Sequence, residues 1–216
     1  MAEFFYKTNL VQNVLAKRRR KRAEFILSKV SVFLGMSILD VGCGPNGRSF
    51  EDFLPKDYKI TGIDILDEKG VITNHPNFTY LKQDAQDLNM FKDNEFDLAV
   101  SIGMMEHVCD RAVLKKMYTE INRVSQQWVI VVPWKYAFLE THFKFPFFPL
   151  LPYFMQIFLT KALNLHNLRH SVKQDYNYIK NNYQWFSNSQ WLNIFEGGKC
   201  YLTSHMDTIA IVKAKV

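Results

Sequence analysis

Short apolar runs of strand length recur along the chain, separated by polar stretches with helical spacing. Residues 37–41 (Ser-Ile-Leu-Asp-Val), 59–64, 78–81, 97–101 and 128–132 are rich in branched residues and too short for ordinary helices. The near-continuous hydrophobicity of 37–41 and 128–132 predicts parallel strands buried on both faces. Ahead of them, Val11, Val14, Leu15, Phe25, Ile26 and Val30 recur at roughly helical spacing, so residues 9–34 read as one or two amphipathic helices. Asp110 is placed to cap a helix running through Val124. Ser187 or Ser189 opens a last helix ending at Gly197-Gly198, and 201–203 with 208–213 close the chain as a hairpin or antiparallel edge. Strands alternating with helices in this way predict an α/β fold, doubly wound and Rossmann-like, with helices on both faces.

The first apolar run ends in Asp40-Val41 and breaks at once into Gly42-Cys43-Gly44-Pro45-Asn46-Gly47. Gly42 and Gly44 let the backbone turn tightly beside a ligand, and a helix starting near Asn46 would aim its free N–H groups at an anionic group. Gly42, Gly44 and Gly47 spell a dinucleotide fingerprint, and Asp64 closes the next strand, where a ribose-binding acid is expected. A nicotinamide enzyme and a methyltransferase both need that acid, because both bind an adenosine ribose. The glycine loop alone leaves the two open.

Three further blocks follow in order: Gln83-Asp84-Ala85-Gln86-Asp87-Leu88, Asn94-Glu95-Phe96-Asp97 leading into the fourth strand, and Gly103-Met104-Met105-Glu106-His107-Val108. With these, the chain resembles the class I S-adenosylmethionine-dependent methyltransferases, in particular the group with an LDVGCG first motif, an acid-Ala pair after strand three and FD…EHV around strand four. The resemblance covers about residues 37–132 well and the remainder loosely. It implies a single domain over residues 1–216 with a mostly parallel seven-stranded sheet and an antiparallel last strand. It also implies S-adenosylmethionine as cofactor, held by Asp40, Gly42, Cys43, Gly44, Asp64, Ile65, Asp84, Ala85 and Ser101. Asp64 would accept both ribose hydroxyls, Asp84 would accept from the adenine amine, and the Ala85 N–H would donate to a ring nitrogen. Electrostatics agree: S-adenosylmethionine carries no phosphate, and Asp40 suits its ammonium better than a pyrophosphate. Singly, Asp84 or Asp87 reads as a cap or turn residue, so the ordered set carries the argument. One departure is that many relatives place a third glycine where Asn46 stands; asparagine tolerates positive φ better than other non-glycine residues.

Composition narrows the class further. At 216 residues, 48% apolar and 22% charged, the chain suits one globular domain and argues against disorder. Its three cysteines, without C-x-x-C spacing, predict a reducing, cytoplasmic setting, no disulfide framework and no metal; Cys43 reads as a small packed residue. Residues 1–15 lack the basic start and apolar core of a signal peptide. Lys17-Arg18-Arg19-Arg20-Lys21-Arg22 supplies much of the net charge of +6. The run reads as a solvated helix face within a helical extension (1–36), or as a contact for anionic lipid head groups or a phosphate-bearing substrate. Nucleic acid is disfavoured, since no zinc finger, RNA-binding aromatic motif or second basic cluster accompanies it.

Residues 143–159 hold seven aromatics and three prolines in seventeen positions. The prolines break any membrane span, which needs about 20 apolar residues. The segment lies within 137–186, where the resemblance implies a substrate lid inserted after strand five; packing onto the core and contact with a membrane surface are the other readings. Glu140-Thr141-His142 and its Pro/Phe-rich continuation look like methyltransferases of bacterial cell-surface glycan and lipid-linked sugar synthesis. The expected function is therefore in-line methyl transfer to a small-molecule, glycan or lipid-linked acceptor. An NAD(P)-dependent oxidoreductase or a non-catalytic methyltransferase-like binding domain is the alternative. If the acceptor is a hydroxyl, His107 and His142 are the candidate catalytic bases, oriented by Glu106 and Glu140. His166, His170 and His205 carry no supporting pattern.

Overall fold

Strands β1 (Ser37–Val41), β2 (Lys59–Asp64), β3 (Phe78–Lys82), β4 (Leu98–Ile102), β5 (Trp128–Pro133), β6 (Lys199–Leu202) and β7 (Thr208–Lys213) join in one sheet, ordered β3-β2-β1-β4-β5-β7-β6. The computed structural model describes residues 9–44, 51–67, 73–203 and 206–214, with side chains from Ala16 onward. Strands β1 to β5 pair in parallel, and β7 runs antiparallel to both β5 and β6. The doubly wound sheet with one reversed strand thus matches the expectation. Its order turns about β1, which pairs β2 on one side and β4 on the other, so the crevice of an open α/β sheet falls beyond the carboxyl ends of those strands.

Alternation along β5 builds both cores. Trp128, Ile130 and Val132 join Leu39, Ile63 and the inner face of α2 (Arg111–Val124), whose Leu114, Met117, Ile121 and Val124 are buried. Val129 and Val131 point the other way, toward Ile38, Ile60, Val100, Ala23 and Ile26. Each such side chain contributes about 1.5–3 kcal/mol by leaving water. Helix α2 starts where expected: the Asp110 carboxylate accepts from the Ala112 N–H at 2.7 Å.

Three expectations are corrected. The N-terminal helix α1 (Asn9–Leu27) is a single helix ending at Leu27, and Val32, Phe33 and Leu34 beyond it are exposed. Within its basic run only Arg19 and Arg22 turn inward, because they share a face with buried Ala23 and Ile26, while Lys17, Arg18, Arg20 and Lys21 stay in solvent. The last helix, α6 (Asn188–Leu192), stops well short of Gly197. Ser187 closes a capping box with Gln190 that satisfies its start. The helix expected near Asn46, together with Gly47, lies outside the described residues, as does His205.

Residues 137–186 carry helices α3 (Tyr153–Leu163), α4 (Arg169–Gln174) and α5 (Tyr178–Asn182), ahead of α6. They enclose a core of their own: Phe143 stacks on Phe148 at 4.0 Å between ring centres, among Ile157, Leu168, Val172 and Ile179. The opposite side of α3 is bare, with Phe154 65%, Phe158 67% and Leu163 57% exposed. No helix among the described residues is long and apolar enough to cross a membrane.

Candidate functional site

Beyond β1 the chain turns through Gly42 and Gly44, at φ of 73° and 74°. A side chain is costly at those angles, and at Gly42 a Cβ would also come within 2.5 Å of Met104 Cγ. The turn is anchored to β2: the Gly42 and Cys43 amides donate to the Ile63 carbonyl, and the Gly44 amide donates to Asp64 Oδ2 at 3.0 Å. Asp64 Oδ1 accepts from the Leu66 amide at 3.1 Å. Two backbone donors therefore aim one carboxylate and leave lone pairs on both of its oxygens. Asp84 is set by the same device, its Oδ1 accepting from the Gln86 amide at 2.8 Å.

These two acids, with Gly42, Ile65, Ala85 and His107, line a cavity of about 350 Å³. Its remaining wall is largely apolar, from Ile63, Leu66, Met104, Val108, Val113 and Met117. Size, apolar lining and few fixed polar groups are those of a small-molecule site. The set of polar groups fits S-adenosylmethionine: aimed carboxylates to accept from ribose hydroxyls and an adenine amine, an apolar slot for the purine and, among the described residues, no cation lining the cavity for a pyrophosphate. Asp40, Cys43, Gly44 and Ser101, expected with the others, do not line this cavity. Asp40 and Ser101 are buried within β1 and β4, and Cys43 lies under the turn, where a Cβ on Gly62 would meet its sulfur at 2.8 Å. Burial, and then Asp40, Glu51 and Asp64, push the Cys43 thiol pKa up, which fits a packed, unreactive residue.

His107 links this cavity to a second, polar cluster. Its ring meets that of His142 edge-on at 5.1 Å, and its Nδ1 lies 3.0 Å from the Asn182 carbonyl. Glu140, buried, collects donors from both sides: the His142 and Phe143 amides at 2.7 and 2.6 Å, the Trp185 indole at 3.2 Å and His142 Nδ1 at 2.9 Å. Burial would raise the Glu140 pKa, but these bonds outweigh it and hold the carboxyl below its ordinary range. Burial likewise opposes charge on His142, yet the bond to Glu140 and the Glu140 and Glu106 charges raise its pKa. His107, with burial unopposed by any comparable partner, is lowered. Glu106 is 2% exposed; burial pushes its pKa up to about 7, and its Oε2 has no hydrogen-bond partner among the described residues. Its Oε1 lies 3.7 Å from His142 Nε2.

Both expected histidines and both expected acids thus meet in one place. The insertion supplies part of the scaffold: the Gln184 amide donates to the Glu106 carbonyl at 2.9 Å, and its side chain to the Val108 carbonyl. No residue of 137–186 lines the 350 Å³ cavity, and Phe143 and Phe148 turn into the insertion's own core. Sequence reasoning missed Met104, Val113 and Met117 as cavity wall and Trp185 as a partner of Glu140. The first three carry the apolar pattern of core, and Trp185 is brought in from 45 residues away, so no local signal marked any of them.

Comparison with known proteins fits this geometry. Residues 39–130 match the family model described as a methyltransferase domain. The cyclopropane-fatty-acyl-phospholipid synthase of Escherichia coli (strain K12) is 32% identical over 98 residues, which are 44% of this chain and 25% of that protein. The match thus spans a quarter of the curated relative's length. Among solved structures, an S-adenosylmethionine-dependent methyltransferase from Aquifex aeolicus has a TM-score of 0.53 at 15% identity, covering 88% of this chain and 87% of that one. A TehB-like S-adenosylmethionine-dependent methyltransferase from Corynebacterium glutamicum has 0.51 at 15%, covering 92% and 88%.

Proposed function

We propose that this chain, which carries a class I S-adenosylmethionine-dependent methyltransferase domain, transfers the methyl group to an oxygen of an apolar or amphipathic acceptor, a lipid-linked one first among small-molecule and glycan candidates. The observation that carries the cofactor half is the pairing of amide-aimed Asp64 and Asp84 across an apolar cavity that opens beside the glycine turn.

S-adenosylmethionine supplies a methyl group on a sulfonium, ready for in-line displacement. The chain's residues supply position. Asp64 fixes the ribose hydroxyls, Asp84 and the Ala85 amide fix the adenine, and Ile65 and Met104 exclude water from the slot. Asp40, buried in β1 and close enough to Cys43 to push its thiol pKa up, adds negative charge beside the glycine turn, at the ammonium end. Holding donor and acceptor aligned contributes several kcal/mol to the rate, up to about 7–11 in favourable cases. When the acceptor is a hydroxyl, its proton passes to His142 Nε2, while Glu140 holds Nδ1 and stabilises the imidazolium that results. His107, on the cavity wall, orients the acceptor between the two regions.

The lipid-linked reading draws on the bare aromatic side of α3, on the Escherichia coli relative whose name specifies a fatty-acyl phospholipid, and on Lys17, Arg20 and Lys21, which line a surface hollow of about 440 Å³. Together they also support peripheral contact with an anionic membrane surface. Calorimetry with S-adenosylhomocysteine and NAD tests the cofactor: tight NAD binding without S-adenosylhomocysteine binding would overturn the proposal. Transfer of labelled methyl into lipid, glycan, RNA and metabolite extracts tests the acceptor, and label confined to RNA would refute it.

A further inference from the structure

We infer that Glu106, His107 and His142 form a site for one divalent transition-metal ion, with a coordination position left open toward the cavity. One ligand atom from each residue lies within 4.8 Å of the others. Ligands around a zinc ion at about 2.0–2.1 Å stand roughly 3.3–3.5 Å apart, so side-chain torsions suffice to close the set.

The surroundings of each ligand carry the argument. Glu140 is an acceptor only, so His142 Nδ1 must be its proton-bearing nitrogen, which leaves the Nε2 lone pair directed at Glu106. The Asn182 carbonyl imposes the same tautomer on His107. A carboxylate on one ring and a backbone carbonyl on the other are the groups that orient metal-bound histidines. Glu106 supplies the independent observation: it is 2% exposed, and its Oε2 lacks a hydrogen-bond partner among the described residues. His142 and Arg22 offset the charge of this buried acid only in part, and a cation beside the unbonded oxygen would complete the compensation. Two imidazoles and one carboxylate suit zinc, iron and cobalt better than magnesium or calcium. The cysteine spacing that argued against a metal is silent about this donor set, which pairs two adjacent residues with one far along the chain.

The site stands on its own geometry, but its catalytic use rests on the methyl-transfer reading and deepens it. With an ion in place, His142 is a ligand, and activation of the acceptor passes to the ion. Its charge would lower the pKa of a bound hydroxyl, whose proton would leave to water; the oxygen would then form its bond to the methyl carbon as the S–CH3 bond breaks, with the electron pair returning to sulfur and S-adenosylhomocysteine as leaving group.

The test titrates zinc chloride into the metal-stripped full chain by calorimetry and reads the visible spectrum after cobalt loading. We expect one equivalent with submicromolar affinity and intense cobalt bands. His142→Ala, His107→Ala and Glu106→Gln should each lower affinity at least 100-fold, and Glu140→Gln by about 10- to 100-fold through loss of ring orientation. Circular dichroism reports whether each variant is folded. Should one not fold, X-ray absorption of the zinc-loaded parent decides, since two imidazoles must be in the first shell. No binding by the parent, binding that survives all three ligand substitutions, or a shell without histidine overturns the site. S-adenosylhomocysteine affinity, measured separately, separates this failure from failure of the cofactor assignment.

Discussion

His142 donates through Nδ1 to Glu140 Oε1 at 2.9 Å, and Glu140 is itself held by two backbone amides of its own turn. Ring and carboxylate therefore move as one unit. That unit fixes which ring nitrogen of His142 is left free of Glu140, the Nε2 that lies 3.7 Å from Glu106 Oε1.

Removing the ring should cost turnover and little else. His142→Ala is expected to lower kcat by about 100-fold or more while leaving S-adenosylhomocysteine affinity unchanged, because His142 does not line the cofactor cavity. Single-turnover methyl transfer with calorimetry on the same preparation checks both halves.

Asp64→Ala acts on the other half of the site. Loss of the ribose acceptor leaves partners unpaired and should cost about 2–3 kcal/mol, a roughly 30- to 150-fold weaker Kd for S-adenosylhomocysteine. The Gly44 and Leu66 amides also lose their acceptor, so Asp64→Asn, which keeps an oxygen for them, should lose less. Equal affinity of folded Asp64→Ala and parent would place the cofactor elsewhere.

The buried acid sets a pH dependence in the metal-free chain. The Glu106 pKa rises on folding from its ordinary 4.5 to about 7, so between those values the folded state binds the extra proton. Stability contributed by this group is full below pH ~4.5 and is lost as pH rises through about 7, a change on the order of 3 kcal/mol. Glu106→Gln should therefore raise the denaturation midpoint at pH 8 and leave it nearly unchanged at pH 4. A stabilisation equal at both pH values would contradict this.

Phe148 and the pair Phe154 and Phe158 should separate cleanly. Phe148 is fully buried against Phe143, and Phe148→Ala should cost about 3–5 kcal/mol, read by urea denaturation. Phe154→Ser and Phe158→Ser lie in solvent and should each change stability by less than about 0.5 kcal/mol. If the acceptor is lipid-linked, the same two changes together should weaken sedimentation with vesicles containing anionic lipid. Unaltered sedimentation would assign the bare face another use.

The sequence by itself determined the sheet and the glycine turn. Strand lengths, branched residues, the Asp110 cap and the positive-φ glycines are local properties, fixed by sterics and by periodicity within a few residues. It also marked Asp64 and Asp84, because position after a strand is enough to find them. Only the tertiary structure decided that Arg22 turns inward from a run of six cations, that Phe148 packs into a core separate from the cavity, and that Trp185 and Asn182 complete the histidine cluster. Those outcomes depend on which apolar faces meet across long loops and on where a buried charge finds a partner, and neither is encoded in the spacing of neighbouring residues.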